Sequence, residues 1–390
     1  MKKNEQHIFR KIIVLVFAII FFACFFTLYR DIFDKTQDTK KGWSEKTPAK
    51  TLKLDYAKEF SVKYFEDGYT LIEIGKKEKF LLIPENGNVP DDLDREITLI
   101  YQPIQNIYLC ATSSMNMFVE LDALEKIRLS GTKKDGWYME EVKEAMENGD
   151  IIYAGKYSAP DYESILENHC QLAIESQMIY HVPEVKEELE GFGIPVLVDY
   201  SSKEEEPLGR AEWIKLYGVL TGKEELAKQL FEEQKKAFES VIEEENTGKT
   251  VAFFYITSGG LACVRKPGDY ISKLIQYAGG HYILEDEEEE QSGLSTMNMQ
   301  LEEFYAKAKD ADYMIYNSTI NGELESMEQL LKQSALLKDF RAVKNQNVWC
   351  IRKNLYQESM KMGSLAKDIH LMLTKKGAGD EDFTYLYKVE

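Results

Sequence analysis

Apolar positions along this chain follow three regimes. From residue 12 to 26 they are continuous, from 60 to 104 they alternate with polar positions in short bursts, and beyond 104 short apolar runs alternate with stretches of three- and four-residue spacing. The continuous run follows Lys2, Lys3, Arg10 and Lys11, the order of charged and apolar regions in an export signal. With residues 27–29 it reaches roughly 18 residues, a marginal membrane span, so cleavage and retention both stay open. Residues 31–48, rich in Lys, Asp, Thr and Gln and without apolar periodicity, read as a tether.

The second regime predicts strands at 60–64, 69–74, 80–83 and 97–101, punctuated by Asp67-Gly68 and Asn86-Gly87 turns. The third predicts strands at 107–110, 127–129, 151–153, 172–174 and 195–198, with helices at 114–121, 139–147, 162–168 and 185–192 between them. That alternation is the signature of βαβ units and a mainly parallel sheet. Residues 207–244 are helical in pattern, with Pro207 suited to a first turn, Trp213, Leu216, Tyr217 and Leu220 on one face, and a break at Thr221-Gly222. A second alternation follows, with strands at 251–256, 313–316 and 348–351 and helices at 270–278, 301–308, 325–331 and 364–373.

The expected fold class is therefore α/β: two Rossmann-like lobes with mainly parallel sheets joined by a long rigid α-helix, plus a small N-terminal β-rich extension. The expected order is a signal peptide or membrane anchor (1–29), a flexible tether (30–51), the extension (52–104), an N-terminal ligand-binding lobe (105–206), the joining helix region (207–246), a C-terminal ligand-binding lobe (247–376) and a tail (377–390). A length of 390 residues with 44% hydrophobic content suffices for two cores. The formal charge of −19, from 67 acidic and 48 basic residues, argues against nucleic acid as a partner.

Candidate chemistry narrows this further. Cys110, Cys170, Cys263 and Cys350 show no CxxC spacing, and His169, His181, His281 and His370 are scattered, so no metal-ligand set and no cofactor is expected. In an exported chain a Cys263–Cys350 bridge stays open. No nucleophile and base stand at recognisable spacing, so the chain is not expected to be an enzyme. No Walker A segment is present.

Phe21-Phe22-Ala23-Cys24 resembles a lipobox, with Cys24 the residue to be lipidated; an uncleaved anchor is the alternative. Further along, Asn106-Ile-Tyr-Leu-Cys-Ala-Thr-Ser-Ser114, Tyr153-Ala-Gly-Lys-Tyr-Ser-Ala-Pro-Asp-Tyr-Glu163, Gly193-Ile-Pro-Val-Leu-Val198, Pro207-Leu-Gly-Arg-Ala-Glu-Trp213, Tyr277-Ala-Gly-Gly280 and Ala342-Val-Lys-Asn-Gln-Asn-Val-Trp349 occur in this order. In order and spacing they resemble the ABC-transporter solute-binding proteins of the cobalamin and iron-siderophore type, whose two lobes are joined by a rigid helix. The resemblance covers about residues 104–373. It implies a membrane-anchored extracytoplasmic receptor that captures a chelated-metal ligand (ferric siderophore, haem or cobalamin) and delivers it to an ABC permease with a separate ATPase subunit. A surface sensory or adhesion protein on the same binding fold is the alternative.

Ligands of open parallel sheets sit beyond the carboxyl ends of the strands. Segments 111–114, 132–138, 155–157 and 177–179 of the first lobe, and 258–266, 317–321 and 352–356 of the second, become the candidates, with Thr112, Ser114, Met178 and Asn317 among them. Trp137, Tyr138, Tyr157 and Tyr356 offer flat walls, although aromatics make up 12% of the chain and mostly fill cores. Lys156, Arg265 and Arg352 are candidate partners for an anionic ligand; an ordinary surface cation is the competing role. Glu163 and Glu302 match the positions where the family presents one glutamate per lobe to its permease, while first-turn acids are also favoured by the helix dipole. Arg210 and Glu212 in the joining helix are candidate ligand groups, with an i,i+4 pair of Glu206 and Arg210 the preferred reading, and the acidic run 285–290 is read as a solvated loop.

Overall fold

The computed structural model describes residues 43, 46–75, 78–242, 246–287, 295–375 and 380–390; Cys24 and the apolar run before it lie outside them. The chain divides into two units, 1–47 with 88–95, and 48–87 with 96–390. In the first, the backbone N–H of Trp43 donates to the Asp92 carboxylate at 2.6 Å. Everything below belongs to the second.

Alternating apolar residues build the first sheet. Strands β1 (Lys50–Thr51), β2 (Phe60–Tyr64), β3 (Thr70–Ile74), β4 (Glu78–Ile83) and β5 (Ile97–Tyr101) lie side by side in that order, antiparallel except for the parallel β4–β5 pair. Val62, Ile72 and Phe80 stand opposite one another across three strands, all buried, so a one-residue slip would expose the row.

The first lobe alternates β6 (Ile107–Leu109), α1 (Thr112–Glu120), β7 (Ile127–Ser130), α2 (Glu140–Glu147), β8 (Ile152–Tyr153), a hairpin of β9 (Gly155–Lys156) and β10 (Ala159–Pro160), α3 (Tyr162–Glu167), β11 (Leu172–Ser176), α4 (Pro183–Gly191) and β12 (Val196–Asp199). Its five-stranded sheet, β12-β11-β6-β7-β8, is parallel throughout, and its order reverses between β6 and β11. Both faces are covered, as parallel sheets require: Leu109, Ile127 and Ile174 pack on one side, Tyr108, Ala173 and Val198 on the other.

The joining region is a helical hairpin rather than one long helix. Two helices, α5 (Pro207–Glu212) and α6 (Ile214–Thr221), turn at Gly222 into α7 (Glu224–Ile242). Gly222 sits at φ 72°, the left-handed cap that the Thr221-Gly222 break requires. At Gly218 a Cβ would come within 2.6 Å of the Ala227 Cβ, so the close crossing of the two arms depends on that glycine.

This hairpin also holds the N-terminal sheet. Glu212 accepts the backbone N–H groups of Asp55, Tyr56 and Ala57 at 2.7–3.1 Å and the Lys215 ammonium at 2.6 Å. Glu204 accepts the N–H groups of Lys58 and Glu59 and the Trp213 indole. Burial raises the Glu204 carboxyl above its usual range, with the N–H donors opposing the rise. Two buried acids thus convert one turn of backbone donors into the joint between extension and core.

The second lobe contains β13 (Lys249–Ile256), β14 (Ala262–Arg265), α8 (Tyr270–Tyr277), β15 (Gly280–Tyr282), β16 (Thr296–Met299), α9 (Leu301–Ala308), β17 (Tyr313–Tyr316), α10 (Ser318–Asn321), α11 (Met327–Gln333), α12 (Arg341–Lys344), β18 (Val348–Ile351), α13 (Met362–Thr374) and β19 (Leu386–Lys388). Its sheet runs β16-β14-β13-β17-β18-β19, with β15 beside the start of β13. β14, β15, β16 and β19 were not anticipated: β14 turns back antiparallel on β13, and the segment expected as a tail supplies the antiparallel edge strand β19. Cys263 and Cys350 carry free thiols and form no bridge. Among the described residues no helix is long and apolar enough to cross a membrane.

Candidate functional site

The carboxyl edges of the two parallel arrays meet. The turn after β18 carries Gln357, whose side chain accepts the Tyr138 backbone N–H at 2.9 Å and donates to the Gly136 carbonyl at 2.7 Å, both beyond the end of β7. Ser359 Oγ donates to the Ser113 carbonyl at 2.8 Å, and Lys361 pairs with Glu120 at 2.7 Å. These contacts bridge the lobes at the loops that follow β7 and β18 and at helix α1. The reversal of strand order between β6 and β11 puts the first lobe's natural crevice at Thr112 and Met178.

Large apolar side chains stand exposed at these strand ends: Tyr138 (43% exposed) after β7, Tyr153 (38%) ending β8, Met178 (47%) and Tyr180 (44%) after β11, and Ile320 (64%) after β17. Isolated exposed apolar residues are ordinary, and it is their shared place at strand ends that singles these out. Tyr153 was not singled out from sequence, its signal being an apolar residue directly at the end of a predicted strand, whereas Ile320 falls within the candidate segment 317–321. Lys156 is exposed on the β9–β10 hairpin, Tyr157 is half-buried at its turn, and Thr112 is half-buried in the first turn of α1.

Three candidates are drawn into the protein instead. Trp137 is 1% exposed, with its indole N–H directed to Ser130 Oγ and the Thr132 carbonyl, each at 3.2 Å. Ser114 is buried and donates to Asp199 at 2.7 Å, alongside the Tyr217 hydroxyl at 2.5 Å from the same oxygen. Asn317 caps α10, its oxygen accepting the Thr319 N–H and hydroxyl and, at 2.6 Å, the Tyr356 hydroxyl. The Trp137 indole, the Ser114 hydroxyl and the Asn317 side-chain oxygen are thus engaged within the fold.

Apart from Ile320, the second lobe offers charge at its strand ends. Arg265 lies 3.5 Å from Asp269 and 5.7 Å from the Tyr270 ring. Tyr356 is packed beside it, and burial holds the phenol well above its ordinary pKa. Arg352 is turned onto the Tyr387 ring of β19 at 5.0 Å. Glu163 and Glu302 are exposed in the first turns of α3 and α9, one per lobe. Among the described residues no group of three His, Cys, Asp or Glu side chains stands close enough to hold a metal ion.

Comparison with known proteins bears on this geometry. The family model described as periplasmic binding protein matches residues 111–355. Two uncharacterized lipoproteins of Methanocaldococcus jannaschii are similar along most of their length, one 26% identical over 80% of this chain and 79% of its own, the other 24% identical over 86% of each. Among solved structures, the periplasmic haem-binding protein of Vibrio cholerae superposes with a TM-score of 0.57 at 17% identity, covering 70% of this chain and 99% of that one. The Fe3+-hydroxamate transport protein of Saccharomonospora viridis gives 0.54 at 17% identity, over 70% and 94%. The periplasmic vitamin B12 binding protein of V. cholerae gives 0.50 at 14% identity, over 70% and 97%. At these identities the structural likeness shows a shared two-lobed α/β fold.

Proposed function

The chain belongs to the periplasmic binding protein family, and from that premise we propose that it is the extracytoplasmic substrate-binding component of an ABC importer, capturing a chelated-metal ligand between its lobes. What supports this reading is the family match together with residues near the strand ends: Tyr138, Tyr153 and Met178 are exposed on the first lobe, and Arg265 and Tyr356 stand side by side on the second. A bulky chelate needs both: aromatic faces for its apolar body and cations for its charged edge. Lys156, Tyr157, Thr112 and Arg352 complete the proposed contact set. Glu163 and Glu302, which have no hydrogen bond or ion pair among the described residues, are the proposed permease-docking carboxylates. Relatives named as lipoproteins support lipidation of Cys24 and tethering to the outer membrane face.

Titration of the full chain in detergent with haemin, a cobalamin, a ferric hydroxamate and a ferric catecholate tests the reading through tryptophan quenching and the unfolding midpoint. One ligand should bind saturably and raise the midpoint with concentration. Silence across all four would favour the sensory or adhesion alternative.

A further inference from the structure

The expected Glu206–Arg210 pair does not form. Glu206 instead receives the Lys273 ammonium and the Tyr277 hydroxyl, each at 2.9 Å, and their donation holds its carboxyl below the usual range against the opposing effect of burial. Arg210 is left with its guanidinium 4.1 Å from the centre of the Tyr270 ring, and among the described residues it has no hydrogen bond or ion pair. Its Nε is buried without a partner.

Arg265 reaches the same ring from β14, 5.7 Å from its centre, and its Nε is likewise buried and unpartnered. Its carboxylate partner, Asp269, is only loosely engaged at 3.5 Å, and that side chain also caps α8 by accepting the Ile271 N–H. Ser295 Oγ lies equally far, at 3.5 Å. Two guanidinium groups therefore share one aromatic platform and one distant carboxylate. Buried donors are almost always satisfied in folded proteins, and a guanidinium presents its donors as a planar fork matched to carboxylate and phosphate oxygens.

The setting fits a ligand site. Arg210 belongs to α5, which packs on α8 and α13 of the second lobe and on the 201–203 turn of the first, so it lies where the lobes join. Tyr356, one turn from the Gln357 bridge, borders Arg265.

We propose that Arg210 and Arg265, gathered on Tyr270, receive an oxyanion of the captured molecule, a carboxylate or a phosphate. This rests on the receptor reading above and narrows it: the cargo is anionic at one end, and Arg210 from the joining hairpin completes a contact that the second lobe begins.

The test separates the two ideas. The unfolding midpoint of the full chain in detergent is followed against citrate and against inorganic phosphate at constant ionic strength. The wild type should gain stability saturably with at least one of them, and the more effective anion identifies the group. Arg210→Gln should lose the gain, Arg210→Lys should recover only part of it, and without anion Arg210→Gln should unfold close to the wild type, because it gives up only the stacking on Tyr270 and a distant attraction to Asp269. Haemin, which bears carboxylates, should bind Arg210→Gln about tenfold more weakly, the scale of one charge-assisted hydrogen bond, while its dimethyl ester should not distinguish the two proteins. Equal anion responses in wild type and Arg210→Gln, or none in either, would overturn the oxyanion site and leave the receptor reading standing. An Arg210-dependent anion response in a protein that binds no chelate would keep the site and overturn the chelate cargo.

Discussion

The two lobes end their strands at the same cleft yet solve the boundary with water differently. The first presents tyrosine and methionine side chains outward from a wholly parallel sheet; the second folds its polar groups onto one another, as in the chain from Tyr356 through Asn317 to Thr319. The contrast extends to one buried acid in each. Asp368 of α13 accepts the N–H groups of Thr384, Tyr385 and Leu386 at 2.5–3.2 Å. Glu175 of β11 is fully buried and neither carboxylate oxygen has a hydrogen-bond partner. Burial pushes the Glu175 carboxyl up to about 8, with the neighbouring Cys110 thiol opposing slightly. Backbone donors make a buried charge tolerable in the second lobe; in the first, desolvation outweighs the opposing Cys110 thiol and favours the protonated acid.

The sharpest way to break this contrast is Asp368→Ala. Three backbone donors lose a charged acceptor, and β19 loses its hold on the sheet. A loss of about 4 kcal/mol is expected, read by urea denaturation, together with faster amide exchange confined to 384–388. Exchange unchanged in that strand would show that the β18–β19 ladder alone retains it.

Glu175→Gln tests the other side. The folded carboxyl, near 8, lies above its unfolded value of 4.5. Between those values the native state therefore holds the proton that the unfolded chain has released. The wild type should lose stability as pH rises from 5 to 9, by roughly 3 kcal/mol. The glutamine variant, which cannot ionise, should show a flatter profile and overtake the wild type at high pH. Parallel pH profiles would mean that a donor reaches Glu175 in solution.

The architecture was largely legible in the apolar rhythm, because strands buried on both faces read as short continuous runs and the helices between them repeat every three to four residues. What escaped has a physical cause in each case. β19 is three residues long, and its place is set by Asp368 and by pairing with β18, partners distant in sequence. β14 and β16 form an antiparallel flap whose members are separated by α8 and β15. The site was legible by position only: strand ends could be located, but whether a side chain there points to water or into the core depends on packing. Trp137 and Tyr138 are adjacent, and one is buried while the other is open. Arg210 was misread because its helical neighbour Glu206 is taken by Lys273 and Tyr277.

Gln357 tests how much of the hold between the lobes comes from its two bonds rather than from Ser359 and Lys361. Gln357→Ala removes the bonds to Tyr138 and Gly136 and leaves both backbone groups to water or to each other's neighbours. A loss of about 1–2 kcal/mol is expected, with a measurable increase in the radius of gyration of the free protein by small-angle scattering. An unaltered scattering profile would assign the lobe spacing to the α5–α7 hairpin, whose contacts with both lobes are more extensive.

The smallest effect on stability should accompany the largest claim about function. Tyr138→Ala and Tyr153→Ala together remove two rings that stand mostly in solvent, so the unfolding free energy should change by no more than about 0.5 kcal/mol. If those rings are the first lobe's contribution to capture, affinity for whichever chelate binds should nevertheless fall by about tenfold, since an aromatic wall contributes roughly 1 kcal/mol beyond its area. Unchanged stability with weakened binding would establish that the open face of the first lobe is kept apolar for the ligand. Unchanged binding would move the contact to the second lobe, where Arg265 and Tyr356 are already held in place by their neighbours.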